Sequence, residues 1–415
     1  MKTPWEFLKE SKTKIKTAWR IAFVSALVLG LWIHLPVMLS DIPNHDGLSS
    51  MYFDQNMITS GRWFLTVACG FSSYFTIPWV IGLIGLIWLA LTAAVLTEVL
   101  ELTDPVTITV VSGLLVSFPA LASTFAYVFT MDGYMLALFL AVLAVLFTAK
   151  YPRGYLAGAV CLAFSMGIYQ AYLPFTILLC VYKILLYFME EKGWKEKAKY
   201  VCRYLGMGIA GGVLYYVILQ ILLKLQGKVL DTYQGINSME QMGSGMGILA
   251  TIKEMYVDFL AFTVHGNVLV NNIFSLAACI ILVATVVFLV IRSMIWRKWW
   301  KNPAFFVIMI LLGISMPLLT NVILLISPNL TYHLLMRYQW VLYLILMTAF
   351  ADRYTAEESR TDVVLQWAAL CAAVVLVFDY GISDNIGYSN LEKKYEKTYA
   401  YCVRPVSYTH LTLPT

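Results

Sequence analysis

The chain has 415 residues, of which 60% are hydrophobic and only 13% charged. An ordinary soluble domain carries about a quarter charged residues, and a soluble chain of this length has no core able to hide so much apolar surface, so lipid is the solvent. The net charge of +5 lies in short basic clusters between apolar runs, which speaks against a nucleic-acid partner and for loops retained on one side of a membrane.

The N-terminal segment is basic, and the apolar run Ile21–Leu39 follows it. That run is longer than a signal-peptide core and lacks a small-residue cleavage site, so it reads as a retained first transmembrane helix that ends around Pro36, Asp41 and Pro43. Stretches long enough to cross about 30 Å of hydrocarbon at about 1.5 Å per residue fall at 20–40, 75–97, 106–127, 132–149, 154–170, 172–189, 204–224, 273–292, 303–326, 338–351 and 363–380. Residues 154–189 form one run broken around Gln170 and Pro174, and the span at 338–351 is expected to begin near Leu334. The expected fold is therefore an all-α polytopic membrane protein of about eleven spans, with two long loops at residues 41–74 and 226–272. Within the second, Ile248, Ile252, Met255, Phe259 and Phe262 recur at helical spacing, as in a helix lying in the membrane interface.

Twenty of the 29 Lys and Arg residues fall on one side of this arrangement and five on the other before the C-terminal tail, which places the N-terminus in the cytoplasm by the positive-inside rule. The long loops are then external. Residues 1–403 are expected to form one membrane domain. Arg404–Thr415 departs from the pattern, is similar to a translated sequencing-adapter tail, and is expected to be non-native with the true C-terminus missing. The seven cysteines are scattered, mostly in apolar runs, with neither CxxC nor metal-ligand spacing.

Chemistry-bearing residues gather at the expected outer side. In the first loop, Asp46, Ser50 and Asp54 share one face if Gly47–Ser60 is helical. Carboxylates at an apolar interface mark function when they are not merely solvating the loop. Asp132 sits in the turn before the fourth span, either as an N-cap or as a third functional acid. Arg62 and Arg337 are the only outer arginines before the tail, each flanked by aromatics (Gly61-Arg62-Trp63-Phe64 and Met336-Arg337-Tyr338-Gln339-Trp340). Each is suited to grip a phosphate by a bidentate fork or simply to snorkel to headgroups. His45, His265 and His333 are also outer but unpaired at metal-ligand spacing. The Tyr169-Gln170-Ala171-Tyr172 turn offers an amide to a sugar hydroxyl or closes the helix break. No P-loop, GxGxxG, GxSxG or HExxH occurs in a suitable context.

The string Asn44-His45-Asp46, Asp54, Gly61-Arg62-Trp63, the Asp132 turn and Met166-Gly-Ile-Tyr-Gln170-Ala-Tyr-Leu-Pro174 together resemble the bacterial glucosyltransferase II family of O-antigen-modifying membrane enzymes, over about residues 15–402. The pattern is also similar to the wider class of GT-C membrane glycosyltransferases. The resemblance implies a GT-C-like bundle in the bacterial inner membrane. It implies a hexosyltransferase that moves a sugar, expected to be glucose, from undecaprenyl phosphate to a surface glycan, with inversion. Asp46 is then the expected general base, with Asp54 or Asp132 orienting it or binding the acceptor. Arg62 and Arg337 would hold the donor phosphate. His45, Trp63, Tyr169, Gln170, His265 and His333 would line the substrate. No cofactor is required, although a divalent metal bridging acids and phosphate is compatible with these residues. A lipid-sugar synthase and a small flippase are the expected pathway neighbours. A transporter or flippase, and a polysaccharide polymerase, are the competing readings. Against transport, no internal repeat is visible and the middles of the spans are nearly free of charge.

Overall fold

A computed structural model describes residues 3–6, 10, 14–40, 42, 57–70, 77–190, 192–230, 248–296, 298, 303–327, 330–355 and 359–412, with side chains except at 303–305, 326 and 404–412. Among the described residues every regular element is helical. The spans are α1 (Thr17–Leu39), α2 (Pro78–Leu100), the pair α3 (Pro105–Ser117) and α4 (Pro119–Phe125), α5 (Met131–Lys150), α6 (Gly154–Ile168), α7 (Leu173–Phe188) and α8 (Trp194–Gln226). After α9 (Ile248–Leu260) come α10 (Ile273–Trp296), α11 (Pro303–Thr320), a 3-10 stretch Leu334–Trp340 leading into α12 (Val341–Tyr354), and α13 (Arg360–Thr412). Eight of these helices are long and apolar enough to cross a membrane, the α3–α4 pair is a ninth bent by 50°, and α6 and α11 are shorter apolar helices at the two remaining expected positions.

The helix boundaries have local causes. Proline begins α2, α3 and α4, where its missing N–H and fixed φ cost nothing, and the Asp104 carboxylate caps α3 by accepting from the Thr107 N–H at 2.7 Å. Pro119 holds Phe118 extended (ψ 130°), so α3 stops there and α4 leaves at its angle. Helix α1 runs through Pro36 to Leu39, within the expected span 20–40. Glu101 closes α2 in the left-handed region (φ 60°), with Leu102 N–H reaching back to Thr97 C=O at 3.1 Å.

That turn sits among the basic residues, which explains why an acidic segment occurs on the lysine-rich side. Glu98 accepts from Lys16 and Lys150 at 2.7 Å each and from the Trp19 indole at 2.9 Å. Glu101 binds Lys183 at 2.6 Å and Arg353 at 2.7 Å, and Arg292 pairs with Asp362. These pairs tie α1, α2, α5, α7, α10, α12 and α13 at one end of the bundle, called here the basic end. Burial opposes ionisation of Glu101, but the Lys183 ammonium and then Arg353 hold its carboxyl below the ordinary carboxylate range. The depressed value means that the folded state gains stability from Glu101 above the unfolded carboxylate pKa of about 4.3, and loses it as pH falls through the lower folded value. Glu101→Gln is accordingly expected to lower the melting temperature in nanodiscs at pH 7 and to flatten the wild-type decline below pH 5. The effect is small because the Glu101 side chain is half exposed. Parallel curves for the two proteins would exclude this linkage.

Candidate active site

The expected site residues that are described lie at the opposite, far end of the bundle. Residues 57–70 form a compact turn there, and its shape follows from one glycine. Gly61 has φ +76°, and a Cβ on it would fall 2.6 Å from both the Gln170 amide nitrogen and the Tyr215 hydroxyl. The Gln170 Nε2 donates to Ser60 C=O at 3.3 Å and to the Tyr215 oxygen at 3.0 Å, while the Tyr215 hydroxyl donates to Gly61 C=O at 3.0 Å. On the other side the Trp63 indole lies over Gly167, where a Cβ would meet the ring at 2.5 Å, and Phe64 N–H donates to Gly167 C=O at 2.7 Å. Trp63 is therefore buried packing between this turn and α6, with Phe64 and Phe164 edge-on to it.

Arg62 projects from the turn. Its Nε donates to Ser60 Oγ at 2.9 Å and its Nη1 reaches the Tyr134 hydroxyl at 3.4 Å. Both partners are neutral, and no carboxylate among the described residues pairs with this guanidinium. Tyr134 stacks on Tyr169 with ring centroids 4.1 Å apart, so the head of Arg62 lies against a tyrosine pair. Asp132 is in the first turn of α5, two residues past the N-cap Thr130, and its Oδ1 accepts from the Gly133 N–H at 2.9 Å. It is only 3% exposed and neighbours Cys69, whose thiol is pushed well above its ordinary range by burial and by this carboxylate.

Arg337 has different partners. Nη1 and Nη2 form a two-bond fork on Asp258 of α9 at 2.7 and 2.6 Å, and Nε donates to Tyr332 C=O at 3.3 Å. Tyr332, Phe262 and Trp340 enclose its head at 3.9, 4.7 and 5.5 Å from their ring centroids. Its charge is already answered by a carboxylate. The Asn321 amide nitrogen adds a bond to Asp258 at 3.1 Å, and Gln339 joins Tyr332 to Thr320 C=O. Asp258 was not among the expected residues, although a signal existed: it falls between Met255 and Phe262 on the apolar stripe of α9, where an acid needs a partner.

Between the two arginines runs an aromatic floor. Tyr169 neighbours Tyr332, Tyr172 packs edge-on against Tyr169 and Tyr338, and Phe118 joins Tyr338 to Tyr380. His265 and His333 are exposed and apart from Arg62 in these contacts. His45, Asp46 and Asp54 lie outside the described residues. A further histidine, His34, was not expected in any role. It is fully buried, stacked on Phe125 at 4.1 Å, with Nε2 on Val116 C=O at 2.8 Å and Nδ1 on the Tyr388 hydroxyl at 2.6 Å. A carbonyl only accepts, so Nε2 carries the proton and Nδ1 accepts from Tyr388, a satisfied neutral imidazole. No group of three or more His, Cys, Asp or Glu side chains among the described residues is placed to hold a metal ion.

With this arrangement established, residues 35–351 match the family model described as glucosyl transferase GtrII. The chain belongs to that family. The matched segment of this GtrII glucosyltransferase includes Asp46, Asp54, Arg62, Asp132, Gln170, Asp258 and Arg337, and stops within α12. No curated protein and no solved structure matches the chain.

Proposed function

We propose that this glucosyltransferase moves glucose from undecaprenyl-phosphate glucose to a cell-surface glycan, at the outer face of a bacterial inner membrane, through a GT-C-like bundle. The observation that carries the reading is Arg62: a guanidinium at the far end, against a tyrosine pair, whose hydrogen bonds among the described residues go to hydroxyls. A phosphate leaving group needs little protonation but does need fixed positive charge as the bond to it breaks. The lysine-rich end faces the cytoplasm in this reading, which puts Arg62 outside.

The acceptor hydroxyl oxygen attacks the anomeric carbon from the face opposite the phosphate. As that bond forms, the bond from the anomeric carbon to the phosphate oxygen breaks, its electron pair stays on polyprenyl phosphate, and the configuration inverts. Asp46 takes the hydroxyl proton, with Asp54 or Asp132 orienting it. Arg62 meets the charge growing on the phosphate, and the Tyr134–Tyr169 pair packs against sugar or prenyl chain. A divalent metal is compatible with the step but not required by it. The lipid-linked donor is made by a separate synthase and turned over by a small flippase.

The test is transfer by purified protein in nanodiscs, offered radiolabelled undecaprenyl-phosphate glucose or UDP-glucose with a surface-glycan acceptor. Label is expected to move from the lipid-linked donor alone, and transfer from UDP-glucose in the absence of lipid carrier would overturn the donor assignment. An Asp46→Asn protein that folds but does not transfer places the base. Retained transfer moves that role to Asp54 or Asp132.

A further inference from the structure

We infer that Tyr215, acting with Gln170, is a positioning residue that aims the Arg62 fork at the donor phosphate. The inference rests on the reading of Arg62 given above. Tyr215 lies on α8, more than 150 residues along the chain from the turn it holds, and is 2% exposed. Its hydroxyl uses both capacities: it donates to Gly61 C=O and accepts from Gln170 Nε2, which also donates to Ser60 C=O. The two carbonyls so held belong to the residues immediately before Arg62. Ser60 completes the linkage from within the turn, donating through Oγ to Met57 C=O at 3.1 Å and accepting the Arg62 Nε at 2.9 Å.

The arrangement makes Arg62 dependent on Tyr215 without direct contact. A guanidinium on an irregular turn has no helix to fix its origin, and the left-handed Gly61 is the residue that sets the turn's direction. Removing the Tyr215 hydroxyl leaves the Gly61 carbonyl without its donor and takes one partner from the Gln170 amide. The turn then relaxes, and the fork moves with it. Phosphate recognition by a fork is sensitive to displacement, since about 1 Å at a reacting group costs about a hundredfold. The same geometry reassigns Gln170: its amide nitrogen is committed to the turn and does not offer itself to a sugar hydroxyl.

The test is a double-mutant cycle read by binding, with farnesyl phosphate titrated onto the full chain in nanodiscs. Tyr215→Phe is expected to weaken binding about tenfold, a partial loss of the displacement sensitivity above. It is expected to add no further loss in an Arg62→Ala background, because the fork it aims is absent. In transfer assays the donor KM is expected to rise while the acceptor KM stays unchanged, whereas a purely structural defect lowers kcat and leaves both KM values alone. Gln170→Ala, which keeps the Tyr215–Gly61 bond, is expected to give a smaller shift in the same direction and serves if Tyr215→Phe folds poorly. Wild-type binding by Tyr215→Phe, or an equal loss in both backgrounds, overturns the positioning role while leaving Arg62 in place. Wild-type binding by Arg62→Ala overturns both, and is recognised by that single variant.

Discussion

Arg62→Ala is expected to lower kcat/KM for the lipid-linked donor by about 10²–10³-fold, the range seen when one preorganised donor to a developing anion is removed. The protein should lose little stability, because among the described residues Arg62 gives up two part-buried hydrogen bonds to neutral hydroxyls, Ser60 and Tyr134, and no ion pair. Arg62→Lys keeps a point charge but loses the planar fork, so it should recover part of the rate and not all of it. Initial rates at donor concentrations below KM, with melting temperatures from the same preparations, separate the two effects. Unchanged kcat/KM in Arg62→Ala would mean that the donor phosphate is held by another group. A parallel fall in melting temperature and rate would mean that Arg62 is structural.

Much of the bundle could be read from hydropathy because lipid allows few alternatives to a helix with every backbone group satisfied internally. Apolar helices stand at all eleven expected positions, including the break at Gln170–Tyr172 and the early start at Leu334. Punctuation was legible in part: the break before Pro174 stands where it is expected, whereas the expected span 106–127 is bent by 50° at Pro119, which begins a new helix. Pro36 is absorbed within the first span, which ends at Leu39 inside the expected 20–40, as a membrane helix tolerates proline.

The site was less legible, for a physical reason. Composition and loop position identify which residues are unusual, but an ionisable side chain's role depends on what answers its charge, and that partner is set by packing. Arg62 and Arg337 look alike in sequence, each a lone arginine between aromatics. The fold gives one a pair of hydroxyls and the other a carboxylate from a helix 79 residues away. Trp63 reads as an interface aromatic, and its packing on Gly167, which seats the turn, could not be read from sequence. Tyr215 carries no signal at all in sequence, since it lies within a span rich in tyrosine and glycine. It acquires a role only because Gly61 folds beneath it.

The difference between the two arginines leads to the second large effect, which is on stability. Arg337 is 9% exposed and the Asp258 side chain about a quarter exposed, so Asp258→Ala strands the more buried member of the pair. Breaking a buried pair by removing one partner costs about 3–5 kcal/mol, mostly for the charge left behind. Here the cost should fall toward the lower end, about 3 kcal/mol, because Tyr332, Phe262 and Trp340 still face the guanidinium with their ring electrons. Arg337→Ala should cost at least as much, since it also empties the space among those rings. The double variant should be less destabilised than the sum of the singles, as the two changes share one interaction. Reversible denaturation in detergent measures all three, and kcat/KM scaled to the folded fraction should stay within a few-fold of wild type in each. A loss of 10² or more in Arg337→Ala at unchanged stability would contradict this division. It would return Arg337 to the phosphate, and require Asp258 to release it when the donor arrives.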